Sequence, residues 1–252
     1  MVWSIVLAGS LNEGKLKECS NAVNEAMIQI GNKYMIEYVI TALKEARGIE
    51  KIIVAGPQKE LAKIYGRDED VYLVERGKTI IQSLLNALSL LPAEDVSRIL
   101  VVTGDIPLIT SKIIDDFLSR CSQEEADIIY PLVKKPLNEL KFPGVKRTYV
   151  YLKEGVVTGG NIILINPQIV PRNAQKAEDL VLLRKSPLRL AKYIGFRYIF
   201  KYLLRNLSLK EAEARVNELF QIKGKAIIVP YPEIGIDVDK PSDLELVRKV
   251  LA

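Results

Sequence analysis

The sequence predicts an α/β fold in three layers, with helices on both faces of a doubly wound, mostly parallel sheet. Three observations predict it. Apolar strand patterns alternate with amphipathic helix patterns over residues 4–130. The connections between them are short, as in repeated βαβ units. Two apolar runs far apart in the chain end directly in aspartate: Ile99-Leu100-Val101-Val102-Thr103-Gly104-Asp105 and Gly235-Ile236-Asp237-Val238-Asp239. An acid just past a buried strand lies at the carboxyl edge of a sheet, where open α/β folds bind ligands.

The elements follow in order. Residues 4–7 form a short apolar strand, and 35–46 have helical spacing through Met35, Ile36, Val39 and Leu43. Residues 51–55 are a strand closed by Gly56-Pro57, 58–65 a short helix and 71–74 a strand. Residues 79–91 are an amphipathic helix, 99–102 the strand before Asp105, and 111–120 a helix capped by Thr110 or Ser111. Residues 127–130 are again a strand. The middle differs: 147–152 and 161–165 alternate like antiparallel strands or a hairpin. Helix is expected after Pro171, over 186–206 and then 208–219, with Ser208 and Glu211 as a capping box. A strand at 226–229 and a helix at 242–251, started by Pro241, close the chain. One Rossmann-like domain spanning 1–252 is therefore expected. Its core is 1–131 with 225–252, and 132–224 supplies a hairpin and a helical insertion.

Composition narrows the chemistry. About half of the 252 residues are hydrophobic (48%), enough for a full core. Cys19 and Cys121 are too few for a disulfide framework and read as free thiols of a cytoplasmic protein. Residues 1–9 lack a basic leader and read as a first strand, and no apolar run reaches membrane-spanning length. The chain has no histidine. That excludes Ser-His-Asp and Cys-His catalysis and histidine-bound zinc. Carboxylates, lysines, backbone amides and a hard metal remain. The formal charge of +5 favours anionic ligands, but no aromatic-interleaved basic motif points to nucleic acid.

Two acids brought to one sheet edge suit Mg²⁺ (or Mn²⁺) held by oxygen ligands beside phosphates. Asp105 and Asp237 are the expected metal ligands, with Asp239 second. In an extended segment Asp237 and Asp239 share one face and Val238 takes the other. The first loop, Leu7-Ala8-Gly9-Ser10-Leu11-Asn12-Glu13-Gly14-Lys15-Leu16-Lys17, can aim backbone amides and lysine charge at phosphates. It lacks the spacing of a Walker A loop. Arg147 and Thr148, with Thr158, Gly159, Gly160 and Asn161, form a second constellation expected to contact an acceptor phosphate. The span 184–205 carries seven basic residues and no acid, with Phe196, Tyr198, Ile199, Phe200, Leu203 and Leu204 as apolar surface. Over 185–205 this reads as a solvated helix face, a membrane-surface or dimer contact, or a lid.

The Leu7-Ala8-Gly9 loop, the helix over 33–46, Val54-Ala55-Gly56, Gly104-Asp105-Ile106-Pro107-Leu108 and the end Gly235-Ile236-Asp237-Val238-Asp239-Lys240-Pro241 occur in a telling order. In that order the chain resembles nucleotidyltransferases of the GT-A type, and among them the MobA-like NTP transferases, a group like molybdenum-cofactor guanylyltransferase. The resemblance covers 1–131 and 225–252. It implies transfer of a nucleoside monophosphate unit from a nucleoside triphosphate to a phosphorylated small molecule, with pyrophosphate leaving and Mg²⁺ on Asp105 and Asp237. It implies Asp105 and Asp237 as catalytic groups, and a loop arginine that this chain lacks, with the charge of Lys15 (or Lys17) in its place. Leu7, Ala8, Gly9, Ser10, Lys15, Gly77, Ser83 and Gly104 would bind the nucleotide, Ser83 on the base side. The chain departs from the family pattern at Ser10, where a second glycine is usual, and at Glu25, where a lysine is usual. The second departure opens an alternative: a nucleotide- or sugar-nucleotide-binding protein with weak or lost catalysis. A glycosyltransferase is a further alternative, opposed by the absence of an Asp-x-Asp in mid-chain.

Overall fold

The computed structural model describes residues 1–92, 96–183 and 186–251. The elements are β1 (Val2–Leu7), β2 (Gln29–Ile30), β3 (Lys33–Tyr34), α1 (Met35–Glu45), β4 (Ile49–Gly56), α2 (Gln58–Tyr65), β5 (Val71–Glu75), α3 (Ile80–Leu88), β6 (Ile99–Thr103), α4 (Ser111–Cys121) and β7 (Ile128–Lys134). Then come α5 (Lys135–Lys141), β8 (Val150–Leu152), β9 (Gly155–Gly159), β10 (Ile162–Ile165), α6 (Ile169–Leu183), α7 (Pro187–Ile194), α8 (Phe196–Leu203), α9 (Leu209–Phe220), β11 (Gly224–Ile228) and α10 (Pro241–Leu251).

The main sheet runs β5-β4-β1-β6-β10-β7-β9-β8, with β11 also pairing β7. The first four strands are mutually parallel, and β11 is parallel to β7. Strand β10 lies antiparallel between β6 and β7. Side-chain alternation divides the core. Val6, Ile52, Val54, Leu100 and Val102 pack on one face with Ile36, Val39, Leu43, Ile114 and Phe117 of α1 and α4. Ile5, Ile53, Ala55, Ile99 and Val101 pack on the other with Leu84, Ile169 and Val170 of α3 and α6. Both sheet faces are apolar, which is why these strands read as continuous hydrophobic runs.

The caps at Thr110 and Ser208 are those the sequence implies, and Thr79, expected inside its helix, proves to be a third. Thr79 accepts from the Gln82 amide at 3.0 Å, and Thr110 from the Ile113 amide at 3.4 Å. Ser208 and Glu211 form the capping box of α9.

The middle of the chain corrects three expectations. The hairpin is β8–β9, turning at Lys153-Glu154, and the strand near 161–165 is not part of it. That strand is β10, inside the main sheet, because its isoleucines need burial on both sides. Helix α6 begins before Pro171 and was not expected; the ring sits in its first turn, where no backbone N–H is needed. The helix expected over 186–206 breaks at Gly195, whose φ of +105° favours a residue without a Cβ. Arg184 and Lys185 of the basic span lie outside the described residues.

A third apolar cluster lies beyond the sheet's carboxyl rim. Leu16, Ile28, Met35, Leu108, Ile236, Val238 and Leu244 are buried together there. Among the described residues no helix is long and apolar enough to cross a membrane. Cys19 is exposed and Cys121 buried, both free.

Phe117 is 1% exposed at the centre of the α1–α4 face. Phe117→Ala is expected to destabilise the fold by about 3–5 kcal/mol, measured by urea unfolding.

Candidate active site

Leu7 and Thr103 are register partners at the carboxyl ends of β1 and β6. The chain leaves both strands at this edge. The Gly104 amide donates to the Leu7 carbonyl at 2.9 Å and carries Asp105 over the rim. The second acidic segment arrives by a different route. It is not a strand: after a short 3-10 turn, Pro232–Gly235, it runs irregularly past the rim. Val238 N–H donates to the Asp105 carbonyl at 2.9 Å, fixing one segment on the other. Ile236 and Val238 are fully buried in the third cluster, so Asp237 and Asp239 project the opposite way. The alternation expected from sequence holds although the strand does not.

One carboxylate oxygen each from Asp105, Asp237 and Asp239 lies within 4.8 Å of the others. Burial, then the neighbouring Asp237 and Asp239, push the Asp105 carboxyl up to about 7, against a hydrogen bond from the Thr103 hydroxyl that lowers it. Burial and Asp237 also raise Asp239. Arg147 is ion-paired with Asp237 and relieves part of this repulsion. Three oxygens this close, with no nitrogen or sulfur donor among them, fit a hard divalent cation.

A cavity of about 490 Å³ opens beside Asp105. Leu7, Gly9 and Ser10 line it from the first loop; Gly77 and Ser83 line it from the β5–α3 side. Ala8 is buried behind the loop, and Gly104 packs on it: a Cβ on Gly104 would stand 3.1 Å from that of Ala8. The Ser83 hydroxyl donates to the Thr79 carbonyl and accepts from the Gly77 amide, both at 2.9 Å. It therefore holds the 77–79 turn in shape as well as lining the cavity.

Lys15 lies elsewhere. It lines a separate depression with Lys146, Lys240 and Lys249, because the 3-10 turn Lys15–Glu18 carries it away as Leu16 buries. Arg76 and Lys78, which sequence reading missed, are the cations on the cavity wall among the described residues. Arg76 donates from Nη1 to the Gly9 carbonyl at 3.2 Å, and a Cβ on Gly9 would stand 2.8 Å from Arg76 Cβ. The signal was present: Arg76-Gly77-Lys78-Thr79 directly follows a strand and caps a helix. Glu25 also faces the cavity. Burial and Asp239 raise its carboxyl above the ordinary value.

The second constellation reaches the same rim. The Thr103 amide donates to Asn161 and the Asn161 amide to Ile234, bracing 159–161 between β6 and the acidic segment. The Thr158 hydroxyl donates to the Thr148 carbonyl at 2.9 Å, tying the irregular segment that carries Arg147 to β9. Gly159 and Gly160 are tight: added Cβ atoms would lie 2.0 Å from the Tyr130 hydroxyl and 2.8 Å from Ile234.

A family model described as a MobA-like NTP transferase domain matches residues 5–186. The chain belongs to this family. The match reaches into the middle segment, where sequence motifs were weakest, and stops before the second acidic motif. Within curated proteins the chain is similar to 2-C-methyl-D-erythritol 4-phosphate cytidylyltransferases. That of Clostridium perfringens is 31% identical over 121 residues, 46% of this chain and 51% of the relative. That of Clostridium kluyveri is 30% identical over 110 residues, 41% of this chain and 47% of the relative. The chain thus spans about half the length of the curated relatives it matches. Among solved structures, a hypothetical transferase from Thermus thermophilus superposes with a TM-score of 0.82 at 33% identity, over 97% of this chain and 100% of that one. The Francisella tularensis 2-C-methyl-D-erythritol 4-phosphate cytidylyltransferase gives 0.62 at 14% identity over 99% of each chain, a likeness of fold.

The raised Asp105 value sets a pH dependence. With its folded-state pKa near 7 against the ordinary 3.8, Asp105 keeps a proton that the unfolded chain has lost. Its contribution is complete below about pH 4 and disappears as pH rises through about 7. Thermal melts in EDTA should show wild type losing stability over this window relative to Asp105→Asn. Added Mg²⁺ should restore wild type at pH 8 and leave Asp105→Asn unmoved.

Proposed function

We propose that this protein transfers a nucleoside monophosphate unit from a nucleoside triphosphate to a phosphorylated small-molecule acceptor. The observation that carries the reading is the meeting of Asp105, Asp237 and Asp239 beside a cavity whose wall bears Arg76 and Lys78. The triphosphate would lie over Gly9 and Ser10, with Arg76 and Lys78 taking charge from its phosphates. The site's acids would repel a bare polyphosphate, since like charges about 4 Å apart cost roughly 4 kcal/mol at an effective dielectric of about 20. A Mg²⁺ ion on Asp105, Asp237 and Asp239 would supply charge neutralisation and orientation of the phosphates. An acceptor phosphate oxygen attacks the α-phosphorus in line; the bond from that phosphorus to the bridging oxygen breaks, and pyrophosphate leaves with the bond's electrons. The chain's own part is positioning. The 159–161 turn and Arg147 border the acceptor side, and Ser83 keeps the 77–79 turn against the nucleotide. The curated relatives are cytidylyltransferases by name, which makes CTP the first donor to try.

Glu25 supports the second reading, a nucleotide-binding protein of this fold with slow turnover. It puts another carboxylate on the cavity wall, where the family resemblance implies a lysine. The two readings separate in one experiment: a panel of triphosphates with Mg²⁺, read by thermal shift and by pyrophosphate release over phosphorylated acceptors. Transfer predicts a triphosphate shift and pyrophosphate release, with both lost in Asp105→Ala. Slow turnover predicts the shift alone, and Glu25→Lys should then tighten triphosphate binding about tenfold or more. No shift with any triphosphate would overturn both.

The α7–α8 segment belongs to this reading as a surface contact. Phe196, Phe200, Leu203 and Leu204 are each more than 60% exposed, and Arg189, Lys192, Arg197 and Arg205 are exposed beside them. Pairing with a second copy through this face would oppose like charges, whereas an anionic bilayer complements them. Sedimentation with vesicles is expected to follow phosphatidylserine content and to fall in Phe196→Ser/Phe200→Ser. Binding that ignores lipid charge would reject it.

A further inference from the structure

The face of the sheet on the acceptor side is not filled. A cavity of about 430 Å³ lies between the sheet and α9, lined almost wholly by hydrocarbon from Leu152, Val157, Ile163, Leu209, Val216 and Ile222. At one end it is bounded by Gly159 and Tyr130. These are the residues that adjoin the acidic segment: a Cβ on Gly235 would stand 3.3 Å from the Gly159 carbonyl, and an added Cβ on Gly159 would meet the Tyr130 hydroxyl. Ile128, Ile163 and Ile222 also line a second apolar cavity of about 260 Å³ under α6, which contains Leu7 and Ile80 of the nucleotide cavity wall. Apolar space on this face of the sheet therefore borders the catalytic rim at Gly159 and Tyr130, and a second pocket lies across shared walls beneath α6.

Neither a nucleotide nor a sugar phosphate uses such a space. A polar acceptor would leave it filled with water that finds almost no hydrogen-bond partner. A hydrocarbon chain gains from it by leaving water. We propose that the acceptor is an amphiphile, a phosphate monoester whose head lies at the Tyr130–Gly159 end beside Asp237 and whose alkyl or isoprenoid tail occupies the cavity under α9. This rests on the transferase reading for the position of the head and not for the existence of the tail site. It deepens that reading by naming the acceptor class. The exposed apolar and basic face of α8 leads in sequence directly to Leu207, another residue of the cavity wall, which suits a substrate drawn from a lipid surface.

The test uses the full chain and two soluble probes, decyl phosphate below its micelle concentration and ethyl phosphate, each titrated by calorimetry with Mg²⁺ present. Decyl phosphate should bind at least about tenfold tighter than ethyl phosphate, because several methylenes leave water. Ala212→Trp fills the cavity from α9 and should bring decyl phosphate to the ethyl phosphate level. Val216→Glu, a half-exposed position, introduces a carboxylate on the same wall and serves should the tryptophan variant not fold. Triphosphate binding, measured separately, should be unchanged in both. Equal affinity for the two probes, or full decyl affinity in both variants, overturns the proposal. A protein that binds decyl phosphate selectively but no triphosphate keeps the tail site and rejects the transferase reading instead.

Discussion

Three carboxylates held within 4.8 Å of one another are the constraint around which this structure is arranged. They are held in an unfavourable setting: burial first, and then repulsion from Asp237 and Asp239, raise the Asp105 carboxyl well above the ordinary carboxylate range. Such an arrangement persists only when the surroundings over-determine it. Here the determinants are apolar. Ile236 and Val238 are sunk in a cluster with Leu16, Ile28, Met35, Leu108 and Leu244, and their burial fixes the facing of the acids between and beyond them. A single backbone hydrogen bond, Val238 to Asp105, then sets the register of the two segments.

That same requirement explains the odd strand of the sheet. An all-parallel sheet would need a crossover to place the 158–161 turn at the carboxyl rim. Strand β10, running antiparallel between β6 and β7, begins at that rim and delivers the turn there directly. Thr103, Asn161 and Ile234 are then joined in one run of backbone hydrogen bonds, linking the end of β6 to the acidic segment. Glycines at 159 and 160 allow the close approach that this bracing needs. The cost falls on the neighbouring sheet face, where α6 and α9 cover the strands incompletely and leave the apolar space beneath them.

Legibility followed range. Local signals were dependable: the main-sheet strands of residues 1–131, the Thr110 and Ser208 caps and the alternation through Asp237-Val238-Asp239 were readable because each depends on neighbours in the chain, whereas the two-residue strands β2 and β3 are too short to leave a pattern. Lys15 was misleading for the same reason. Proximity in sequence to the glycine-containing first loop suggested a phosphate contact, but burial of Leu16 turns that stretch toward a different depression. Arg76 came from the end of another strand, so no count along the first loop could find it; its contact with the Gly9 carbonyl exists only once β1, β4 and β5 are side by side.

The sequence by itself determined the alternating α/β core, the aspartates that end its runs, and a chemistry without histidine, since periodicity and composition are properties of the chain. Tertiary structure alone decided which acids meet, which cations face them, how Glu25 is turned and where apolar space remains. Those are distances between segments as much as a hundred and thirty residues apart, such as Asp105 and Asp237. They are set by how buried side chains fill a shared interior, and packing of that kind leaves no periodic trace along the sequence.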